Sequence, residues 1–442
     1  MRYRAAKPLP LLFGALIGCL LCACSNSEGV DGDSALGWNS EDSAYDIRTA
    51  ENPLTNSADS QDSVPPIIEY LPLDDSEYPY AGIPRIVIET ENHREIKDRE
   101  TEIPAKLQIW GEHAPESKIM DLTIRGRGNT SWGYPKKPYA IKFEKKQAFL
   151  GMPKAKKWVM LANYRDRTLI RNALAFEIAR KTCQKWVPQG KFADVFLNDK
   201  FIGNYYICEK IQANRNRLNL TDEDFLLEFD IAYDEEFKFK TAYKNLPVNI
   251  KHPSNPSKEQ KNYIHQYIDE IEHHLYGHCD TANIIQNINM QSLASFWIIQ
   301  EVTQNTESNH PKSLYAYKDT ILNIGPVWDF DWNTFTSSKK GLRIKEKTLW
   351  FDTLSNNITF IDIVKQEWNA DKKSFYTLIN YIDSLANYIE QSNEINHSIW
   401  PINIDKGLTG DENKAFTSAI QMLKDVYVKR LNELDLLFNS LQ

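Results

Sequence analysis

Apolar and polar residues alternate through the half of the chain that follows residue 84. Leu107 and Ile109, for example, flank the polar Gln108. A period of two places successive side chains on opposite faces of a strand, so this pattern predicts β-strands. The Asn198-Asp199 pair between two apolar runs indicates a tight hairpin turn. The predicted strands lie around residues 86–89, 107–110, 122–124, 139–143, 158–161, 192–197, 205–211 and 225–229.

One helix is predicted inside this β-rich half. Ile170, Leu174 and Ile178 recur every four residues and would share one helix face. Asp166 or Thr168 could cap its N-terminus, because both side chains accept hydrogen bonds from backbone N–H groups.

The second half of the chain is predicted to be mostly helical. Apolar residues at steps of three and four predict helices after Ser257, around 293–298 and over 416–438. A short hairpin, formed by 313–317 and 321–328, lies between them. The expected fold class is therefore α+β, with a β-rich N-terminal part and a helical C-terminal part.

The N-terminus has the pattern of a secretory signal. Arg2, Arg4 and Lys7 precede an apolar run, 9–22, that is too short to span a membrane. The end of the run, Leu-Cys-Ala-Cys, resembles a bacterial lipobox, which implies cleavage after residue 23 and lipidation of Cys24. An ordinary cleaved signal is the alternative. The expected location is the cell envelope, with a lipid anchor in the outer membrane.

The segment 24–65 is predicted to be an acidic, disordered tether. Its first forty residues carry nine acidic side chains and one basic one, Arg48, with little apolar patterning. The domain proper is then expected over 84–438. Removal of 1–23 would change the net charge from -8 to -11, because that segment holds three basic residues.

Composition excludes two classes of protein. A net charge of -8 and a pI near 5.7 argue against a nucleic-acid binder, so no nucleic-acid partner is expected. A mean hydropathy of -0.51 argues against a polytopic membrane protein. Cys183, Cys208 and Cys279 would remain in the mature chain, and without a paired spacing they are expected to be buried apolar side chains.

Basic residues in three segments are candidates for binding an anion. Arg125 and Arg127 flank a glycine at the start of a Gly-Asn-Thr-Ser turn, which can present guanidinium groups and N–H donors. Lys142 shares a strand face with Ala140 and would point into a cleft that this strand covered. Lys157 precedes a strand that leads to a helix start, where anions are favoured. Solvated surface side chains on ordinary turns and strands are the alternative for each.

Carboxylates in a fourth segment are candidates for metal binding and catalysis. Asp329 and Asp331 follow a strand-like run, and two carboxylates at this spacing suit a hard divalent cation. Glu307 and Asn305 lie on the loop before the hairpin, where a base or a further metal ligand would be needed. A polar loop with packed aromatic residues is the alternative.

Taken in order, these segments resemble the CotH kinase-like family, named for spore coat protein H. The similarity extends over about 84–438, and the anchor and tether resemble those of lipoprotein members from Bacteroidetes-type bacteria. The ordered set of motifs is specific, although no single motif is. The motifs are IRGRGNTSW (124–132), PKKPYAIKF (135–143), KKWVMLANY (156–164), TLIRNAL (168–174), FLNDKFIGNY (196–205) and PVWDFD (326–331).

The resemblance implies a two-lobed, atypical protein-kinase-like fold that binds ATP with Mg²⁺ or Mn²⁺. It implies phosphorylation of serine or threonine in an extracytoplasmic protein. Lys142 resembles the phosphate-pairing lysine, Asp329 resembles the metal-binding aspartate, and Asp331 is a further metal candidate. Arg125 and Arg127 lie in the family's arginine turn, where phosphate contact is expected.

One departure from the family pattern concerns the catalytic loop. Better-known members carry an aspartate five residues before an asparagine, just ahead of the strand at 314–317. Here Ser313 replaces the asparagine, and Glu307 lies one residue upstream of the expected aspartate. The second metal ligand would then be either lost or supplied by Asn305 or Asn309. The departure bears on the catalytic rate more than on nucleotide binding, since phosphoryl transfer depends on positioning and charge.

Three functions are compatible with these residues. The first is a lipid-anchored, metal-dependent kinase-like enzyme in which Glu307 orients or deprotonates the acceptor hydroxyl; ATP or another phosphoryl donor would be the substrate. The second is a catalytically degenerate surface lipoprotein that binds glycans or proteins. The third is a metal-dependent hydrolase that uses Asp329 and Asp331.

Overall fold

The computed structural model describes residues 70–278, 286–336, 340–343, 348–402 and 409–441. Residues 67–442 form one compact unit. The predicted signal peptide, the predicted tether, Cys24 and Cys279 lie outside the described residues.

The N-terminal part of the unit is a closed barrel of seven strands. The order around the barrel is β1-β2-β3-β4-β5-β7-β6, and it closes through the parallel pair β1 and β6. All other neighbouring strands in it are antiparallel. The strands are β1 Arg85–Thr90, β2 Ile103–Trp110, β3 Met120–Gly126, β4 Tyr139–Phe149, β5 Met152–Leu161, β6 Gly190–Leu197 and β7 Lys200–Glu209.

Alternation along these strands separates two apolar clusters. Ile141 and Trp158 belong to the cluster inside the barrel. Val159 and Leu161 belong to the larger cluster that the helices cover. The barrel is therefore apolar inside and is also packed on part of its outer face, which explains the long apolar runs in β5 and β7. Asn198 and Asp199 form the hairpin turn between β6 and β7 with φ of 51° and 62°, which confirms that prediction.

A helix, α1 (Arg171–Arg180), interrupts the barrel strands as predicted. Its N-cap is Ile170, whose side chain makes no capping bond. Asp166, which precedes the helix, caps it instead. Its carboxylate accepts hydrogen bonds from the backbone N–H of Thr168 and of Arg171, both at 2.9 Å. The Arg171 side chain links Asp166 to Asp411 in a buried ion-pair network.

A second sheet of five antiparallel strands follows the barrel, in the order β12-β11-β8-β10-β9. The sequence pattern predicted β8 and the β11–β12 hairpin but did not identify β9 and β10. These strands are β8 Phe225–Phe229, β9 Lys238–Lys240, β10 Pro247–His252, β11 Leu314–Lys318 and β12 Leu322–Ile324. Short 3₁₀ turns occupy Glu91–His93, Thr130–Gly133 and Glu307–Asn309.

Helices pack around this sheet and against the barrel. They are α2 Lys258–His273, followed by a π turn over His274–His278, α3 Met290–Thr303, α4 Phe351–Leu354, α5 Ile358–Ile399 and α6 Phe416–Asn439. Ser257 and Gln260 form a capping box at the start of α2. The longest helix, α5, was not predicted.

A buried lysine fixes α5 to the barrel. The Lys136 ammonium group is fully enclosed and donates to the carbonyl of Ala162 at 2.8 Å and to Asn396 Oδ1 of α5 at 2.7 Å. The same Asn396 oxygen accepts from the backbone N–H of Asn204 on β7 at 3.1 Å. Because buried polar groups are costly unless they are paired, this arrangement holds the helix in one position on the barrel.

The predicted α+β class, with a β-rich N-terminal part and helices toward the C-terminus, is confirmed. The β-rich part is a closed seven-stranded barrel, and the two-lobed kinase-like arrangement that the resemblance implied stays a prediction. Cys208 is buried as expected, whereas Cys183 is exposed, which corrects that prediction. Among the described residues, no helix has the length and apolar character needed to cross a bilayer.

Candidate functional site

A charged cavity of about 770 Å³ lies between the outer face of the barrel and the second sheet. Ala140 and Val159 contribute small apolar surfaces from β4 and β5, and Glu228 and Tyr315 contribute side chains from β8 and β11. Most other lining residues are charged, and opposite charges collect in two places. We call Arg125, Arg127, Lys210 and Lys251 the cationic pole, and Glu307, Asp329 and Asp331 the acidic pole.

Lys210, which follows β7, is the central residue of the cationic pole. Burial, followed by the charges of Lys157, Lys251 and the two arginines, lowers the pKa of its ammonium group to about 8. A lysine in such surroundings is stabilised in its charged form when an anion binds beside it. The cationic pole is therefore suited to a phosphate group.

The two arginines of the turn after β3 line the cavity differently. The Arg127 guanidinium lies 5.8 Å from the centre of the Trp328 ring, and it has no ion-pair partner within the described residues. Arg125 donates to the carbonyls of Arg99 and of Gly126, the latter at 3.1 Å. Arg127 thus retains donors for a ligand, whereas Arg125 is partly held by the backbone.

Acidic side chains from β8 and from the loop after it pair with Lys251. Its ammonium group is 3.0 Å from Glu228 Oε2 and also pairs with Glu235. Burial alone would lower the pKa of Lys251, but these carboxylates outweigh it and raise the pKa. The Tyr315 hydroxyl donates to the other Glu228 oxygen. Lys251 is consequently a partly neutralised member of the cationic pole.

The acidic pole contains three carboxylates that repel one another. Glu307 is only 11% exposed in its side chain; one oxygen pairs with Lys312 Nζ at 3.2 Å. The other oxygen, Oε2, is buried and has no hydrogen-bond donor within the described residues. Burial, followed by the charge of Asp329, raises the pKa of Glu307 to about 7. Burial, Asp329 and Glu307 raise the pKa of Asp331 well above its usual value.

Asn305 links the two loops that carry the acidic pole. Its Nδ2 donates to the Asp329 carbonyl at 3.3 Å, and its Oδ1 accepts from the Glu307 backbone N–H at 3.0 Å. Asp329 has a left-handed backbone with φ of 69°, which for a side chain with a Cβ requires support from its surroundings. Asn305 supplies part of that support, and it does not line the cavity.

A second asparagine connects the loop of Asp329 and Asp331 to the start of α1. Asn172 Oδ1 accepts from the Phe330 backbone N–H at 2.9 Å, and its Nδ2 donates to Asn163 Oδ1 at 3.0 Å. All three residues are buried. The loop that ends β5 and the loop of the acidic pole therefore hold each other in place.

Residues of the acidic pole could hold a divalent metal ion. The carboxylates of Asp329 and Asp331 are hard oxygen ligands of the kind that Mg²⁺ and Mn²⁺ prefer. The buried Glu307 oxygen Oε2 has no donor within the described residues, and burial followed by like charges raises the pKa values of Glu307 and Asp331. A cation would stabilise such an arrangement.

The structure gathers most of the predicted site residues at this cavity. Arg125, Arg127, Glu307, Asp329 and Asp331 all line it. The sequence did not indicate Lys210, Lys251, Lys312 and Asp230 as cavity residues, and Arg165 was not singled out within its candidate segment. Lys210 was detectable only as a lysine directly after a predicted strand, which is a weak signal.

Lys142 lies outside the cavity lining. It shares a strand face with Ala140 as predicted, but the cavity covers only the Ala140 end of that face. Two residues along a strand span about 7 Å, which carries Lys142 past the edge. There its side chain is 47% exposed and pairs with Glu102 at 3.4 Å. Lys157, directly opposite Lys142 on β5, is exposed, and it acts on the cavity through its charge on Lys210.

Asp230 lies beside Ser313, where the family pattern has an asparagine. Its Oδ2 accepts from the Ser313 backbone N–H at 3.0 Å, and its Oδ1 accepts from the Ala232 N–H at 2.7 Å. Both Asp230 and Ser313 line the cavity. A carboxylate from the residue that follows β8 thus lies beside this position.

The comparisons with known proteins agree with this geometry. No curated protein sequence matches the chain. The family model for the CotH kinase protein matches residues 124–434, which include the arginine turn, β4, the loop of Glu307 and the Asp329–Asp331 pair. That match covers more than two thirds of the 442 residues. The chain therefore belongs to the CotH kinase protein family.

Proposed function

We propose that the protein transfers a phosphoryl group from ATP, or from a similar donor, to a serine or threonine hydroxyl of an extracytoplasmic protein. The observation that carries the proposal is the division of one cavity into a cationic and an acidic pole. Phosphoryl transfer requires positioning and charge stabilisation more than covalent chemistry, and these two poles supply both. Under this proposal, the barrel and the part after it correspond to the two lobes of a kinase-like fold.

The cationic pole would bind the inner phosphates of the donor. Lys210 and Arg127 both line the cavity, and neither has an ion-pair partner within the described residues. Binding of a phosphate beside Lys210 would hold its ammonium group in the charged form. In this proposal Lys210 takes the role that the resemblance gave to Lys142.

Glu307 is suited to orient the acceptor hydroxyl and to take its proton. A general base works best when its pKa lies near the working pH, and the Glu307 pKa of about 7 meets this condition. Lys312, 3.2 Å away, would stabilise the carboxylate after the proton has moved on. Asp329 and Asp331 would hold a divalent cation, which, when bound, would offset the negative charge of the donor phosphates.

We further propose that the chain is a lipoprotein, anchored through Cys24 in the outer membrane, with residues 24–65 as a tether. ATP is scarce outside the cytoplasm, so another phosphorylated donor is part of the proposal. The membrane would be contacted through the lipid only.

Labelled phosphate transfer tests this function. The purified chain would be incubated with γ-labelled ATP, Mg²⁺ or Mn²⁺ and a serine- and threonine-rich model protein, beside Asp329→Ala. We expect label in protein with the wild type and none with the variant. Label that persists in Asp329→Ala, or absence of any nucleotide binding, would contradict the proposal. Thermal stabilisation by a glycan, with none by nucleotide or metal, would favour a binding lipoprotein instead.

A further inference from the structure

The segment between β5 and α1 contains an arginine that the fold does not use. Three arginines occur within seven residues here, at positions 165, 167 and 171. Arg167 donates to the Lys414 carbonyl at 2.9 Å and to Asn393. Arg171 is enclosed between two carboxylates. Two of the three arginines are therefore structural.

Arg165 differs from both, because it lines the charged cavity. Its Nε is buried and has no hydrogen-bond partner within the described residues, and it forms no ion pair among them. Its guanidinium carbon lies 5.5 Å from the centre of the Tyr134 ring, which also lines the cavity. An aromatic platform restricts the plane of a guanidinium group and leaves its edge available to a ligand.

The position of Arg165 is coupled to the acidic pole. The backbone N–H of Asp166 donates to the Asn163 carbonyl at 3.0 Å, which closes a turn around Arg165. Asn163 is linked through Asn172 to the backbone of Phe330, between the two aspartates of the acidic pole. The loop of Arg165 therefore has a fixed relation to these aspartates.

The pKa of the Tyr134 hydroxyl depends on both Arg165 and the acidic pole. Burial raises the pKa of the Tyr134 hydroxyl, and the Arg165 charge lowers it. Asp331 and Glu307 raise it, and Lys312 lowers it. The charges of Arg165 and of the acidic pole thus act on one hydroxyl group.

A terminal phosphoryl group at this place would need positive charge. If the inner phosphates lie at the cationic pole and Glu307 serves the acceptor, the terminal phosphoryl group lies between them, against three carboxylates. Lys312 is already paired with Glu307. A guanidinium group with free donors matches the oxygen geometry of a phosphoryl group and offsets its charge.

We propose that Arg165 is a further substrate-binding residue that contacts the terminal phosphoryl group of the donor. This inference rests on the proposed function, and it adds a contact that none of the predicted site residues supplies. Because the contact is to the terminal group, it distinguishes a nucleoside triphosphate from the corresponding diphosphate.

Binding of ATP and ADP, measured by calorimetry on the full chain with Mg²⁺, tests the proposal. Arg165→Gln should weaken ATP binding about 10–100-fold, the usual effect of losing a hydrogen bond to a charged group, and should change ADP binding less than about twofold. The ATP affinity of Arg165→Lys should lie between that of Arg165→Gln and that of the wild type. Arg215→Gln, at an exposed arginine outside the cavity lining, is the matched control and should change neither.

The outcomes separate the two proposals. Equal weakening of ATP and ADP in Arg165→Gln would show a general electrostatic effect and would overturn the terminal contact. Unchanged binding of both nucleotides would overturn it as well, while leaving the proposed function in place. A wild-type chain that binds neither nucleotide would overturn both proposals.

Discussion

Removal of the Glu307 charge should stabilise the protein at alkaline pH. Burial and the neighbouring Asp329 raise the folded-state pKa of Glu307 to about 7, against an ordinary value near 4.5. In the folded chain this carboxyl therefore keeps its proton at pH values where the unfolded chain has lost it. Its contribution to stability is complete below about pH 4.5 and is lost as the pH rises through about 7.

The size of the effect follows from this difference in pKa. Each pKa unit corresponds to about 1.4 kcal/mol, so the full penalty for the charged carboxylate is about 3 kcal/mol. About 1 kcal/mol of it is already present at pH 5, and nearly all of it at pH 8. Glu307→Gln removes this penalty but also removes the ion pair with Lys312, which is worth about 1 kcal/mol at a partly exposed site.

Urea unfolding followed by tryptophan fluorescence, with a chelator present, measures the effect. The free energy of unfolding of Glu307→Gln, relative to the wild type, should increase by about 2.5 kcal/mol between pH 5 and pH 8. Glu390→Gln, which removes one exposed carboxylate from α5, is the control. A difference between Glu307→Gln and the wild type that is constant with pH would refute the reasoning. Mg²⁺ should stabilise the wild type more at pH 8 than at pH 5.

Three further predictions concern the cavity. Lys210→Met should weaken nucleotide binding about 10–100-fold by calorimetry, and Lys142→Met should have a clearly smaller effect; the reverse order would restore the role that the resemblance gave to Lys142. Nucleotide binding to the wild type should weaken as the pH rises through about 8, because Lys210 then loses its charge, and this pH dependence should be absent in Lys210→Met. Asn172→Ala should lower the free energy of unfolding by about 2–4 kcal/mol, since it leaves the buried Phe330 N–H and its other partner without hydrogen bonds; a change below 1 kcal/mol would show that the link does not support the loop.

Local patterning was enough to locate all seven barrel strands, although with shorter bounds, because residues inside and outside a barrel alternate along each strand. The hairpin at Asn198-Asp199 was predictable for a similarly local reason, since its turn residues tolerate positive φ. Closure of the barrel was not predictable, because it depends on the parallel pairing of β1 with β6, about 100 residues apart. Helix α5 was missed although its buried residues, such as Ile382 and Ile389, have helical spacing.

The acidic pole was predictable because its three carboxylates lie in two short segments with recognisable motifs. The cationic pole was predictable only in part. Arg125 and Arg127 have a local signature, but Lys210 acquires its lowered pKa from burial and from residues on other strands. For Lys142, the predicted strand face was correct, but the sequence did not show that the cavity ends before this residue. The sequence alone could not distinguish Arg165 from the structural Arg167 and Arg171, because the difference lies in the partners of each side chain.

The most direct test of the account is a crystal structure with Mn²⁺ and a non-hydrolysable ATP analogue. Anomalous scattering would locate the manganese ion, and density would locate the phosphates. We expect manganese at Asp329 and Asp331, inner phosphates at Lys210 and Arg127, and the terminal phosphate beside Glu307. Phosphates bound outside the charged cavity, or manganese bound away from the acidic pole, would contradict it.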